Sequence, residues 1–231
     1  MFVKLVRTVA IALTLCQVTS TYAAVDAPSV TPAATEAKDT EYARKLGDRV
    51  SKIVTALELK DQAKANRVHA LIVAQYKTLN VWHETYDSRL KELGKAAASS
   101  DAEKACSAKA EIESAKSALK TIHDNYLTRL AEELTPELVE RVKDGMTVGK
   151  VQFTYAGYLQ QIPSLTEEQK AKVLDLLKEA REEAIDAGAM DEKSAIFNRY
   201  KGRINNYLSK QGVNQGKGNK SKAEPKESAA K

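Results

Sequence analysis

The sequence predicts an all-α protein, an elongated helical bundle built around a long antiparallel helix hairpin. Three observations carry this. No proline occurs between Pro32 and Pro136 and only Gly47 and Gly94 interrupt that span, so long helices are permitted. Apolar residues recur there at helical spacing. Asp61, Asp101 and the Thr135-Pro136 pair stand where helix starts are expected.

The elements follow in order. Tyr42, Leu46, Val50, Ile53 and Leu57 form one stripe, giving a first helix over 36–58. Val68, Ile72, Gln75, Leu79, Trp82, Tyr86, Leu90 and Leu93 repeat at about 3.5 residues; this second helix starts after Asp61 and is expected to stop at Gly94. The third starts after Asp101 and carries Ala105, Ala108, Ile112, Ala115, Leu119, Ile122, Tyr126, Leu130 and Leu134. Paired antiparallel, these two make an arm of roughly 45–50 Å. If facing residue numbers add to about 195, His69 and His123 lie level, with Asp124 adjacent. Interhelical or solvent-facing histidines are favoured there over a metal site, and none is expected. His83 pairs with Asp87 one turn on, and Trp82 reads as core.

A short fourth helix ends at Gly145. Thr166 and Gln169 form a capping box for a helix reaching Gly188 through Val173, Leu177, Ala180 and Ala184. The last runs through Ile196, Tyr200, Ile204 and Leu208 to Gly212. L-T-x-E-x-x-x-[KR]-V, present at Leu134–Val142 and Leu165–Val173, reads as a repeated helix-start device.

The ends bound the compartment. Lys4 and Arg7 precede an apolar run from Val9 to Val18, and Thr21 and Ala23 are spaced for signal peptidase. Residues 1–23 are expected to be a signal peptide and 24–35 a linker, followed by one helical domain at 36–212 and a flexible tail at 213–231. The apolar run is too short to span a bilayer. Leu15 before Cys16 disfavours lipoprotein processing. An exported protein, periplasmic or extracellular, follows. Without its signal it keeps one cysteine, Cys106, so no intramolecular disulfide can form. The net charge of +5 falls to +3 when Lys4 and Arg7 leave, and the tail's five Lys and two Glu account for the remainder. The body is neutral overall, and no nucleic-acid partner is expected.

One stretch breaks the helical rhythm. "KDGMTVGKVQFTYAGYL", Lys143 to Leu159, holds three of the ten glycines and alternates apolar and polar residues at Val151, Phe153 and Tyr155. It reads as an irregular Gly/Tyr-rich loop holding a short extended segment, the kind of segment that presents function on a rigid scaffold. A second cluster, "YKGRINNYL" from Tyr200 to Leu208, places Gly202 in mid-helix at about 1 kcal/mol relative to Ala, which predicts close packing there. Aromatic faces and polar side chains in both clusters suit carbohydrate. The candidate ligand-binding residues are Asp144, Met146, Thr147, Phe153, Tyr155 and Tyr158 on the loop, and Lys201, Arg203, Asn205, Asn206 and Tyr207 on the last helix. The loop is expected to close over that helix near Arg203 and Asn206. No G-x-S-x-G, P-loop, H-E-x-x-H or paired-cysteine pattern occurs, and no cofactor is expected. If the cleft is instead enzymatic, Asp144 is the candidate acid or base.

These two clusters, with "LTEEQ" between them, resemble a family of secreted bacterial proteins of unknown function that has been described as sugar-binding. The resemblance covers about Ala37 to Gly212. It implies an exported helical protein found beside polysaccharide-degrading systems, with an oligo- or polysaccharide partner and no catalytic residues to carry over. Leu165-Thr166-Glu167-Glu168-Gln169 is also similar to the L-T-x-x-Q motif of the Spy periplasmic chaperones, which makes a chaperone the third reading; the earlier copy, Leu134 to Leu138, lacks the Gln.

Overall fold

A computed structural model of the chain describes residues 32–213. The expected signal peptide, most of the expected linker and nearly all of the expected Lys-rich tail lie outside the described residues. Seven helices and no strand occur among them: α1 (Pro32–Ala56), α2 (Gln62–Ala97), α3 (Ala102–Glu133), α4 (Pro136–Met146), α5 (Lys150–Gln161), α6 (Glu167–Ala184) and α7 (Met190–Lys210). The chain separates into two compact units, one ending at Glu41 and the other running from Tyr42. Everything below belongs to the second.

The hairpin is built from local signals. Asp61 accepts from the backbone N–H groups of Ala63 and Lys64, and Asp101 from those of Glu103 and Lys104, satisfying donors that a helix start leaves unpaired. α2 has 36 residues, about 54 Å at the standard rise. It runs through Gly94 instead of stopping there, because a C-terminal glycine ends a helix only when it takes a left-handed conformation and Gly94 does not. Two fork-to-carboxylate pairs set the register: Arg67 Nε donates to Glu133 at 2.7 Å and Arg89 Nε to Glu111 at 2.6 Å. Both pairs have numbers adding to 200, so His69 and His123 do not lie level. His69 Nε2 instead faces Ser51 Oγ on α1 at 3.3 Å.

Two apolar cores result. The first joins Leu46, Val50, Ile53 and Leu57 of α1 with Val68, Leu71 and Ile72 of α2, Tyr126 and Leu130 of α3, and Val142 and Met146 of α4. Tyr42, read as part of the α1 stripe, is exposed. The second joins Val151 and Tyr158 of α5, Val173, Leu176 and Leu177 of α6, and Phe197, Ile204 and Leu208 of α7. Gly145 lets α4 lie against α1: a Cβ there would stand 3.0 Å from Ile53 Cγ1.

The expected loop with an extended segment is instead a tight turn followed by a helix. Val148 and Gly149 take φ of 55° and 64°, breaking the helix within three residues, and α5 begins at once. Val151, Phe153 and Tyr155 do alternate, but Val151, Tyr155 and Tyr158 also stand at i, i+4 and i+7. The second period decides, because those three side chains pack into the second core while Phe153 points to solvent. Gly202 is a further correction: nothing lies within 4 Å of the Cβ it lacks. Cys106 is free and exposed on α3.

Candidate functional site

The loop and α7 residues singled out from the sequence do not converge on one cleft. Four of the loop residues stand apart from α7. Met146 and Thr147 are core: Tyr126 Oη donates to Met146 Sδ at 3.2 Å, and the Thr147 hydroxyl donates to the Lys143 carbonyl at 3.0 Å. Asp144 belongs to a charged cluster described below. Phe153 stands 78% exposed, alone on the outer side of α5.

The α7 residues spread around their helix at 100° per residue. Asn205 lies toward α5, where its side-chain oxygen accepts from the Tyr158 hydroxyl at 2.7 Å; the Lys201 carbonyl lies 3.4 Å from the same hydroxyl. Burial pushes the Tyr158 phenol up to about 12. Arg203 turns to the opposite flank, pairing with Glu179 at 3.0 Å and lying 4.4 Å over the Tyr200 ring. Asn206 is exposed, and Tyr207, like Tyr155, is half-buried against the second core. The polar link between α5 and α7 is thus a hydrogen bond between a buried phenol and Asn205, and the flap expected over Arg203 and Asn206 does not form. Tyr158→Phe removes that bond while keeping the ring, so a loss of about 1 kcal/mol is expected in urea unfolding; an unchanged midpoint would show that the bond contributes nothing.

Open grooves of about 600 and 440 Å³ lie elsewhere, at the hairpin tip beside Lys95 and Lys104 and between α1 and α2 beside Ser51 and His69. Neither is lined by the loop or α7 residues singled out above.

The densest polar chemistry lies where α6 meets α4 and the start of α5. Arg181, only 2% exposed, donates to Asp144 Oδ1 at 2.6 Å, to Glu182 at 3.2 Å, and to Glu140. Lys143 Nζ bonds Glu182 at 2.9 Å and Glu140 at 2.5 Å. Gln152 Nε2 closes the second Asp144 oxygen at 2.5 Å. Burial alone would raise the Glu140 carboxyl, but Lys143 and Arg181 hold it below the usual range.

One turn further along, α6 ends in a second polar node. His123 Nδ1 of α3 donates to Asp186 Oδ2 at 2.7 Å, and His83 Nε2 of α2 to the Asp186 carbonyl at 2.8 Å. His83 Nδ1 faces Asp87 at 3.0 Å, so that pair, read from spacing, is present. Gly188 makes room for the ring: a Cβ there would come within 3.0 Å of the imidazole. Lys193 of α7, 1% exposed, donates to the Ala184 carbonyl at 2.9 Å. Burial, helped by repulsion from Arg49, lowers its amine to about 8.

Sequence reasoning passed over Arg181 and Lys193, although both carry a legible signal. Each is a basic residue on an apolar stripe, Arg181 between Leu177 and Ala184, and Lys193 one turn before Phe197. No group of three or more potential metal ligands occurs among the described residues, and no described helix is long and apolar enough to cross a membrane.

Fold and site define an all-α chain with two apolar cores and a charged seam along α6 built on buried Lys143, Arg181 and Lys193. The chain belongs to the family described as protein of unknown function, DUF3826, whose model matches residues 43–227. No curated protein matches it.

Proposed function

We propose that this is an exported carbohydrate-binding protein, accessory to polysaccharide utilisation, that takes saccharide on the outer face of α5. The observation that carries the reading is the composition of that face. Phe153 offers an exposed ring, Gly157 follows at i+4 and Gln160 at i+7. Nothing lies within 4 Å of the Cβ position of Gly157, so no packing contact explains a glycine that costs about 1 kcal/mol relative to Ala. A ring, a bare backbone floor and an amide in line suit a sugar, whose apolar C–H face stacks while its hydroxyls take hydrogen bonds. Lys150 is the single charged residue in α5, so the surface is cheap to desolvate.

Asp144 weighs against catalysis at this corner, since both its oxygens are held, by Arg181 and Gln152. Calorimetry of the mature chain against a panel of plant and algal oligosaccharides tests the reading. Binding should weaken at least tenfold, about 1.4 kcal/mol, in Phe153→Ala, with unfolding unchanged because the ring is exposed. Absence of binding to every saccharide, or full binding by Phe153→Ala, would sink it. Turnover of a glycan, lost in Asp144→Asn, would favour an enzyme instead.

A further inference from the structure

The turn between α6 and α7 is gripped from two helices at one residue. His83 reaches its main-chain carbonyl from α2 and His123 reaches its carboxylate from α3, both at Asp186. The His83 contacts carry a constraint that follows from geometry alone. A backbone carbonyl only accepts, and so does a carboxylate; His83 places one ring nitrogen 2.8 Å from the former and the other 3.0 Å from the latter. Both bonds exist together only if both nitrogens carry hydrogen, which is the imidazolium form. In the neutral ring one nitrogen lone pair would face an oxygen lone pair.

We propose that the α6–α7 turn is a pH-sensitive latch, clamped onto the α2–α3 hairpin by doubly protonated His83 and released when that ring loses a proton. The surroundings fit a cation. Carboxylates approach the two imidazoles from every packed element: Asp87 on α2, Asp124 on α3, Glu182 and Asp186 at the end of α6, and Glu192 on α7. Opposing them are Lys193 on α7 and, acting on it from α1, Arg49. Glu192 also holds the turn directly, accepting from the Gly188 N–H at 3.0 Å. For His83, burial disfavours the charge, but the Asp186 carbonyl and Asp87 outweigh it and raise the ring above its ordinary value. His123 is raised first by its bond to Asp186.

The sign follows. A histidine raised in the folded state contributes stability that is complete below its unfolded value, about 6.5, and is lost as pH climbs through the folded value. The latch is therefore closed in acid and loosens toward alkaline pH. Because α6 and α7 fill the second core together, the opening is local to their connecting turn.

Two measurements on the mature chain decide it. NMR titration should place His83 above 6.5. Hydrogen-exchange protection factors for amides 187–193 should fall severalfold between pH 6 and pH 8.5, while those of 68–72 in α2 stay constant. Asp87→Asn is the discriminating variant, since an amide can accept from the protonated ring or donate to the neutral one; it should fold normally and flatten the pH dependence. The proposal is overturned if His83 titrates at or below 6.5, if wild-type protection does not change with pH, or if Asp87→Asn keeps the full dependence.

Discussion

Arg181→Met should destabilise the protein by about 2–3 kcal/mol, measured by urea unfolding at pH 7, a figure below that for a fully buried pair because Glu140 and Glu182 are partly solvated. The reason is asymmetry. A buried ion pair is a weak net contributor when formed, but removing the buried partner strips compensation from the carboxylates around it, most of all from Asp144, the least exposed of the three. Arg181 is nearly inaccessible and answers Asp144, Glu140 and Glu182 at once. Met fills much of the volume, so the loss reads charge and not cavity. Lys143 remains near Glu140 and Glu182, but Asp144 keeps only Gln152. A pH series adds a second readout. Because Glu140 is held below its ordinary value, its contribution is present above the unfolded carboxyl value and lost as pH falls through the folded one. The variant should show less of that acid loss. A change under 1 kcal/mol would mean the cluster is solvated and structurally idle.

Lys193→Met should act the other way, stabilising the protein by about 2–3 kcal/mol at pH 7. Burial lowers the amine from 10.5 to about 8, and each unit corresponds to about 1.4 kcal/mol; the lost bond to the Ala184 carbonyl returns about 1 kcal/mol of that. The pH dependence is specific. Between about 8 and 10.5 the unfolded chain binds the proton more tightly than the folded one, so wild-type stability rises with pH across that window. The advantage of Lys193→Met should therefore shrink from pH 8 upward. An unchanged or lower midpoint for the variant at pH 7 would show that the ammonium is well solvated where it lies.

The opposite signs of these predictions come from one structural difference. Arg181 bonds three carboxylates, whereas Lys193 has a carbonyl, the Tyr76 ring at 6.0 Å, and Asp186 and Glu192 acting only through space. Sequence alone marks both only as basic residues on apolar stripes. Which one is compensated depends on what other helices bring to it.

The amino-acid order by itself determined the helices whose signals lie within one or two turns. Asp61 and Asp101 cap where they stand, Thr166 and Gln169 form their box, and the stripe from Leu46 to Leu57 is core. These are interactions between near neighbours, and periodicity encodes them directly. The segment after Gly149 shows where local reading becomes ambiguous, because Val151, Phe153, Tyr155 and Tyr158 satisfy a strand period and a helix period together; only the apolar surface of α6 and α7 selects the second. Tertiary structure alone decided the rest. The hairpin register, set by Arg67–Glu133 and Arg89–Glu111, separates His69 from His123, and docking of the α6–α7 turn joins His83 to a residue 103 positions away. Contacts at that range depend on helix rotation and offset to within a few ångströms. Those are properties of packed surfaces, and no spacing within a single helix records them.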